Sequence, residues 1–311
     1  MAFISDLPTP TGSNKGWPWD WESYTHASEN LPTISVITPS FNQGEFLEAA
    51  LRSVLLQNYP NLEYIVLDGG STDNSIEIIR RYAPWLSYWR SGQDQGQYHA
   101  INEGFSRSNG DIMLWLNSDD MLFPNALNSL ADIFSHFTSV EWLTGMQVFF
   151  DRSGKKIQPL NSLPYNRWFM RHGCYESRTI HWVMQEATAW RRSLWEKAGG
   201  YIDTSHELAG DFELWYRFSQ HSQLYSASVL IGGNRQHAGQ KTARFDTYEA
   251  EVDKILQKDR YSILMNRILS ISIIRKLVRA ILLSTKNRHL IEYHAKSMAW
   301  RIAANNQGKN S

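Results

Sequence analysis

Ile34-Ser-Val-Ile-Thr38, followed by Pro39-Ser-Phe-Asn42, and Tyr64-Ile-Val-Leu67, followed by Asp68-Gly-Gly-Ser-Thr-Asp73, are the stretches that decide the fold. Each is a short apolar, β-branched run closed by turn-forming residues, the pattern of a buried strand. Between them, Phe46, Leu47, Ala50, Leu51, Val54 and Leu55 recur at helical spacing over Glu45–Gln57. Working outward, Ser75–Tyr82 predicts a second helix and Ser87–Arg90 a third strand. Tyr98–Ser106 predicts a helix, and Ile112–Leu116 a fourth strand ending at Asn117-Ser-Asp-Asp120. Strands alternating with helices predict an α/β fold, a mostly parallel sheet flanked by helices on both faces. Ligands of such sheets sit beyond the carboxyl ends of the strands. Ser40, Asn42, Asp68, Asn117, Asp119 and Asp120 all follow strand ends. Each is also an ordinary turn residue; it is their convergence on one sheet edge that favours a site.

The 311 residues suffice for one large domain or two fused lobes. The 31 basic and 31 acidic residues cancel, so no nucleic-acid partner is expected. A single cysteine, Cys174, excludes an intrachain disulfide and a multi-thiolate zinc site, and fits a reducing cytoplasm. Met1–Lys15 carries no signal-peptide pattern, and no apolar run reaches the roughly 18 residues of a membrane span. The 13 tryptophans serve either packing or sugar stacking.

Residues 1–33 read as an arm packed on the domain through Trp17, Trp19 and Trp21. Residues 34–245 form the main domain, with a first half at 34–120 and a second half at 121–245. In that second half, Val140–Phe150 and Gln185–Trp190 read as strands. Arg191–Lys197 and Asp211–Gln220 read as helices, the last preceded by Gly210. Residues 246–311 form a basic helical tail. Lys254, Lys258, Arg260, Arg267, Arg275, Lys276, Arg279, Lys286 and Arg288 are interleaved there with Leu264, Ile268, Ile271, Ile274, Val278, Ile281 and Leu282. Two readings stand side by side: helices packed on the domain, or an amphipathic helix on an anionic membrane, which would make the chain peripheral at the inner face.

Carboxylates at a strand end suit a hard divalent cation, Mn2+ or Mg2+, which needs one or two of them beside phosphate oxygens and water. Asp119 and Asp120 meet that demand. A separate carboxylate within reach of a hydroxyl would serve as base. Asp211, opening a helix, is the candidate, although the same position suits an acid stabilised by the helix dipole.

Taken together, Ile34-Ser-Val-Ile-Thr-Pro-Ser-Phe-Asn42, Leu51-Arg-Ser-Val-Leu-Leu-Gln57, Leu67-Asp-Gly-Gly-Ser-Thr-Asp73 and Leu116-Asn-Ser-Asp-Asp120 closely resemble family 2 glycosyltransferases of GT-A fold, over about residues 33–245. The resemblance implies a nucleotide-sugar donor, UDP favoured, bound by the half at 34–120, a glycan or lipid-linked sugar acceptor, bound by the half at 121–245, and a divalent metal. One base and no second nucleophilic carboxylate imply inversion. It assigns Pro39, Ser40, Asn42 and Asp68 to base and ribose. The nucleotide pocket would further take Asp94 and Asn102, from Gln93–Gln97 and Ala100–Asn102, with Asn117 and Ser118. Asp119 becomes the metal ligand and Asp120 its support. His237, in Arg235-Gln-His-Ala-Gly-Gln-Lys-Thr242, becomes a further ligand, and Lys241 a phosphate partner. Asp211 becomes the base, Glu213 its support, and Glu186 a residue facing the acceptor.

Three positions depart from the family's pattern. Glu103 stands where a lysine is common, Asn117 replaces the first Asp of Asp-x-Asp, and Gly210 replaces a Glu before the base. They feed an alternative, a non-catalytic nucleotide-sugar or glycan binder on a degenerate scaffold. A dehydrogenase or P-loop enzyme is disfavoured, since no Gly-x-Gly-x-x-Gly or Gly-Lys-Ser/Thr follows the first strand.

Overall fold

A computed structural model describes residues 3–10, 12, 14–24, 30–157, 165–240, 244–257, 259–284 and 289–303. Its centre is β1 (Ile34–Ser40), all seven residues buried, which is why its sequence does not alternate with polar residues. It pairs in parallel with β2 (Leu62–Asp68) on one side and β4 (Ile112–Trp115) on the other, and β2 pairs in parallel with β3 (Tyr88–Ser91). The register sets Ser40 opposite Asp68 and Asp68 opposite Ser91, so three loops leave the sheet at one edge.

Successive strand residues point to opposite faces, and two cores result. Val36, Tyr64, Val66 and Leu114 pack beneath α1 (Gly44–Leu55), α2 (Ser75–Tyr82) and α4 (Ala126–His136). Ile37, Ile65, Leu67, Met113 and Trp115 pack on the other face against α3 (Gln97–Arg107), α6 (Arg192–Lys197) and α7 (Gly210–His221). This second core stacks Trp115, Trp142, Trp190, Trp195 and Trp215 against one another, so packing occupies these five.

Beyond β4 the sheet turns mixed. β8 (Thr188–Arg191) runs antiparallel between β4 and β6 (Trp142–Thr144), and β9 (Leu224–Ala227) follows β6 in parallel. A small sheet of β5 (Met121–Leu122), β10 (Gly232–Arg235) and β7 (Phe149–Phe150) lies beside the carboxyl edge. Val140–Phe150 is therefore two strands in two sheets. The break falls at Gly145, where an added Cβ would lie 2.7 Å from the Val229 carbonyl oxygen. Gln185–Trp190 likewise opens as a 3-10 turn over Gln185–Ala187 before β8 begins.

Arg52 anchors the arm: its buried guanidinium donates to the carbonyls of Pro8, Pro18 and Trp19 at 3.0–3.2 Å. Trp17 Nε1 reaches the Leu122 carbonyl at 2.8 Å. After α5 (Arg167–Arg171) and the second half come α8 (Phe245–Leu256), α9 (Arg260–Ser270) and α10 (Ser272–Ser284). The tail is not helical throughout: β11 (Leu290–His294) pairs with β9, and β12 (Ala299–Ile302) completes a nine-stranded sheet. Lys241, Lys258, Lys286 and Arg288 lie outside the described residues.

Candidate active site

Two clefts open at the carboxyl edge. The first, about 700 Å³, is lined by Pro39, Ser40 and Phe41 after β1, Gly69 and Gly70 after β2, Gln93 and Asp94 after β3, and Asn117–Asp120 after β4. The second, about 760 Å³, is more apolar, with Phe149, Trp182, Met184, Leu208, Phe245 and Tyr248 around Glu186 and Asp211. Gln97, Asn117, Asn234 and Gln240 line both, so the clefts share one wall.

The β1 and β2 loops shape the first cleft more than they furnish it. Asn42 adopts φ 51°, a left-handed turn that asparagine tolerates. Its N–H donates to Ser71 Oγ at 2.7 Å and its Oδ1 accepts from Thr72 N at 2.8 Å, stapling the loops together. The Asp68 carboxylate is fully buried and accepts from the N–H groups of Gly70 and Ser71 and the hydroxyls of Ser71 and Ser91. Asn102 holds Ile202 by a paired bond, 2.7 and 2.8 Å, to its N–H and carbonyl. None of these three lines either cleft. Glu103, where the resemblance anticipates lysine, accepts from Arg90 at 2.8 and 2.5 Å. Arg90 in turn donates to the carbonyls of Asp68 and Gly92. This ion pair braces the β2 and β3 loops and holds the Glu103 carboxyl below its usual range.

The turn after β4 is the most heavily determined part. Asn117 Oδ1 accepts from Gln97 Nε2 at 2.7 Å, and its Nδ2 donates to Asp120 Oδ2 and Gln185 Oε1, each at 3.2 Å. An amide does here what a carboxylate could not, donating and accepting at once. Asp120 is buried and accepts the Arg235 N–H at 2.8 Å, while Arg235 Nε donates to the Asp119 carbonyl at 2.7 Å. Burial, then the charges of Asp119 and Glu186, push the Asp120 carboxyl well above its ordinary range. Asp119 Oδ2 lies 3.0 Å from His237 Nε2, and the imidazole packs on the Phe46 ring, centroids 4.5 Å apart.

Among the described residues, no three carboxylate, imidazole or thiol groups converge as a complete metal cage. Asp119 and His237 do form a carboxylate–imidazole pair at the border of the two clefts. Two such ligands, completed by diphosphate oxygens and water, fit Mn2+ or Mg2+.

Asp211 opens α7 on the wall of the second cleft. Gly210 before it leaves room for Tyr98: a Cβ there would lie 2.6 Å from the tyrosine ring. The Tyr98 hydroxyl accepts the Gly210 N–H at 3.0 Å and donates to the Leu208 carbonyl at 2.8 Å. From α8, Glu251 accepts the N–H groups of Glu207, Leu208 and Ala209 at 2.8–2.9 Å. The Gly210 N–H is one that a helix start leaves without an intrahelical partner; Tyr98 takes it, Glu251 ties down the three residues before it, and together they fix where α7 begins and hence where Asp211 stands. Burial pushes the Asp211 carboxyl up to about 6, the Phe212 N–H pulling down and Glu251 adding to the rise. Burial pushes the Glu186 carboxyl above its ordinary range, and the charges of Asp211 and Asp119 add to the rise. Glu213 faces elsewhere, holding Arg217 at 2.6 and 2.7 Å.

Sequence reasoning missed Phe41, Gln97, Gln185, Tyr98, Arg235 and Glu251. Phe41 and Gln97 stood inside runs already singled out, where polarity and motif position drew attention elsewhere. Tyr98 and Glu251 carried no local signal.

A large, mostly parallel sheet flanked by helices is the GT-A fold of glycosyltransferases. Two solved structures share the fold. TarS of S. aureus, in complex with UDP-GlcNAc, aligns at TM-score 0.56 and 17% identity over 73% of this chain and 71% of that one. The Pyrobaculum calidifontis mannosyltransferase PcManGT, with GDP-Man and Mn2+, aligns at TM-score 0.54 and 17% identity over 85% and 79%. The family model described as Glycosyl transferase family 2 matches residues 35–197, so this chain belongs to that family and is a transferase enzyme. An uncharacterized glycosyltransferase of Mycobacterium tuberculosis is 41% identical over 60% of this chain and 69% of its own length. One of Rickettsia typhi is 24% identical over 73% and 72%.

Proposed function

We propose that the enzyme transfers a sugar from a nucleoside-diphosphate donor, UDP the first candidate, to a hydroxyl of a glycan or lipid-linked sugar, with inversion. The observation that carries this reading is the shared wall: Asp119 lines the cleft on one side and Asp211 the cleft on the other. The first cleft takes the donor. Phe41, exposed at its rim beside Pro39 and Ser40, offers a ring face to the base, and Asp94, Asn117 and Ser118 offer polar groups to ribose and phosphate. Asp119 and His237 would hold Mn2+ or Mg2+, whose charge offsets that developing on the departing diphosphate. Asp120 and Arg235 keep the Asp119 turn in place.

The second cleft takes the acceptor. Asp211, ionised above about pH 6, accepts the proton of the attacking hydroxyl. That oxygen bonds to the anomeric carbon from the face opposite the diphosphate. The bond from that carbon to the phosphate oxygen breaks, its electron pair leaving with the diphosphate. Glu186, in the second cleft and with its carboxyl pushed up by burial, hydrogen-bonds a sugar hydroxyl of the acceptor. The single, buried cysteine favours placement in the cytoplasm. Melting temperatures with a panel of nucleotide sugars, with and without Mn2+, test the donor: one nucleotide class should raise the value only with metal. Anomer-resolved NMR of the product tests inversion, and retention would defeat it.

A further inference from the structure

The tail helices pack inward on one side only. Met265 of α9 and Ile274, Val278 and Leu282 of α10 rest on the second core. Arg275 donates to the Arg178 carbonyl at 2.7 Å. α10 therefore lies against the segment whose Ser177, Trp182 and Val183 wall the acceptor cleft. Its other side is apolar and open: Ile273 and Leu277, one turn apart, are 77% and 62% exposed, and Leu264, Ile271 and Leu283 are at least half exposed. A helix facing water carries polar residues there, and contiguous apolar exposure marks a binding surface.

Charge says what covers it. From Arg260 to Ser284 the chain has Arg260, Arg267, Arg275, Lys276 and Arg279 and no acid, in a protein whose total charge is zero. Cations flanking an outward apolar stripe match an anionic bilayer, whose acyl boundary takes the stripe and whose phosphates meet the cations. No described helix is long and apolar enough to cross a membrane, so α10 would lie in the interface. A second copy is the poorer occupant, because a twofold pairing would set the same cations against one another.

We propose that α9 and α10 dock the enzyme on an anionic lipid surface, setting the acceptor-cleft wall at Ser177 and Trp182 beside the headgroups. The docking stands on this face alone; that the membrane then presents a lipid-linked acceptor rests on the transferase reading.

The test is sedimentation of the full chain with phosphatidylcholine vesicles containing about one-third phosphatidylglycerol. Binding is expected, and should weaken about tenfold or more without phosphatidylglycerol or at high salt. The pair Ile273→Glu and Leu277→Glu, and separately Lys276→Glu with Arg279→Glu, should weaken it similarly. Melting temperature should hold in both, since all four side chains face solvent. Equal binding to pure phosphatidylcholine, or undiminished binding by the Ile273/Leu277 variant, overturns the proposal. So does a doubled mass in light scattering that this variant abolishes while the native chain ignores vesicles, which would assign the face to a second copy. If vesicle binding fails but UDP with Mn2+ still raises the melting temperature, docking falls and the transferase reading stands.

Discussion

Asp119 and Asp211 stand on adjoining clefts and are held in opposite ways. Asp119 sits in a polar net: His237 meets its carboxylate, Arg235 its carbonyl, and Asn117 and Asp120 brace the turn behind it. Asp211 sits among Tyr98, Phe212 and Tyr248, and its carboxylate accepts the Phe212 N–H. Its orientation comes from Tyr98 and Glu251, which grip the backbone before it rather than the side chain. On the proposed reading, the cleft at Asp119 presents a carboxylate to a cation, and the cleft at Asp211 takes up the proton of an attacking hydroxyl. Surroundings this different, ion-pairing around Asp119 and aromatic around Asp211, suit the two carboxylates to different tasks.

The sharpest way to break this comparison is to neutralise each carboxylate in turn. Asp211→Asn should lower kcat by about 10²- to 10⁴-fold while leaving donor affinity with Mn2+ unchanged in calorimetry. A loss confined to donor binding would move Asp211 out of the role of base. Asp119→Ala should do the reverse, weakening metal-dependent donor binding about a hundredfold in a chain that still melts cooperatively. Unchanged donor affinity would remove the metal from Asp119.

A smaller effect separates positioning from chemistry. Gly210→Ala drives a methyl to 2.6 Å from the Tyr98 ring. Overpacking of this kind costs about 1–3 kcal/mol, and the α7 start should shift with it. Both melting temperature and kcat should fall, and combining it with Tyr98→Ala should recover part of the melting temperature but not kcat. Full recovery of turnover would show that Tyr98 only fills space.

The two halves differ in how much their sequence reveals. β1, β2 and β4 were readable because each is an apolar run closed by turn residues, and a parallel register delivers their ends to one edge. Helices α1, α2, α3 and α7 fall within one or two residues of their predicted bounds. The second half resists because its strands are two to four residues long and pair out of order: β6 lies between β8 and β9. No local pattern announces that Gly145 must break Val140–Phe150, since the obstruction is a carbonyl at Val229. Motifs conveyed residue type but not direction. Asn42 and Asp68 stand in the expected loops, yet their oxygens accept from those loops. Glu251 lies forty residues beyond Asp211, and its grip on the α7 start exists only once α8 has docked.

The finest distinction concerns protons. Folding raises the Asp211 carboxyl from 3.8 to about 6. Between those values the folded protein binds more protons than the unfolded chain, so stability contributed by this group is present below about pH 4 and lost as pH rises through 6. Asp211→Asn removes that loss. The variant should match the native chain at pH 4 and exceed it at pH 8, by on the order of 1–2 kcal/mol once water in the cleft is allowed for. Catalysis should run the other way, because only the ionised carboxylate accepts a proton: kcat/KM should climb through about pH 6 and level off. Denaturant midpoints at the two pH values, set beside the pH–rate profile, check both halves at once. A stabilised variant with a flat native profile would leave Asp211 buried but idle, whereas opposed slopes would show one carboxylate trading stability for a proton-accepting role.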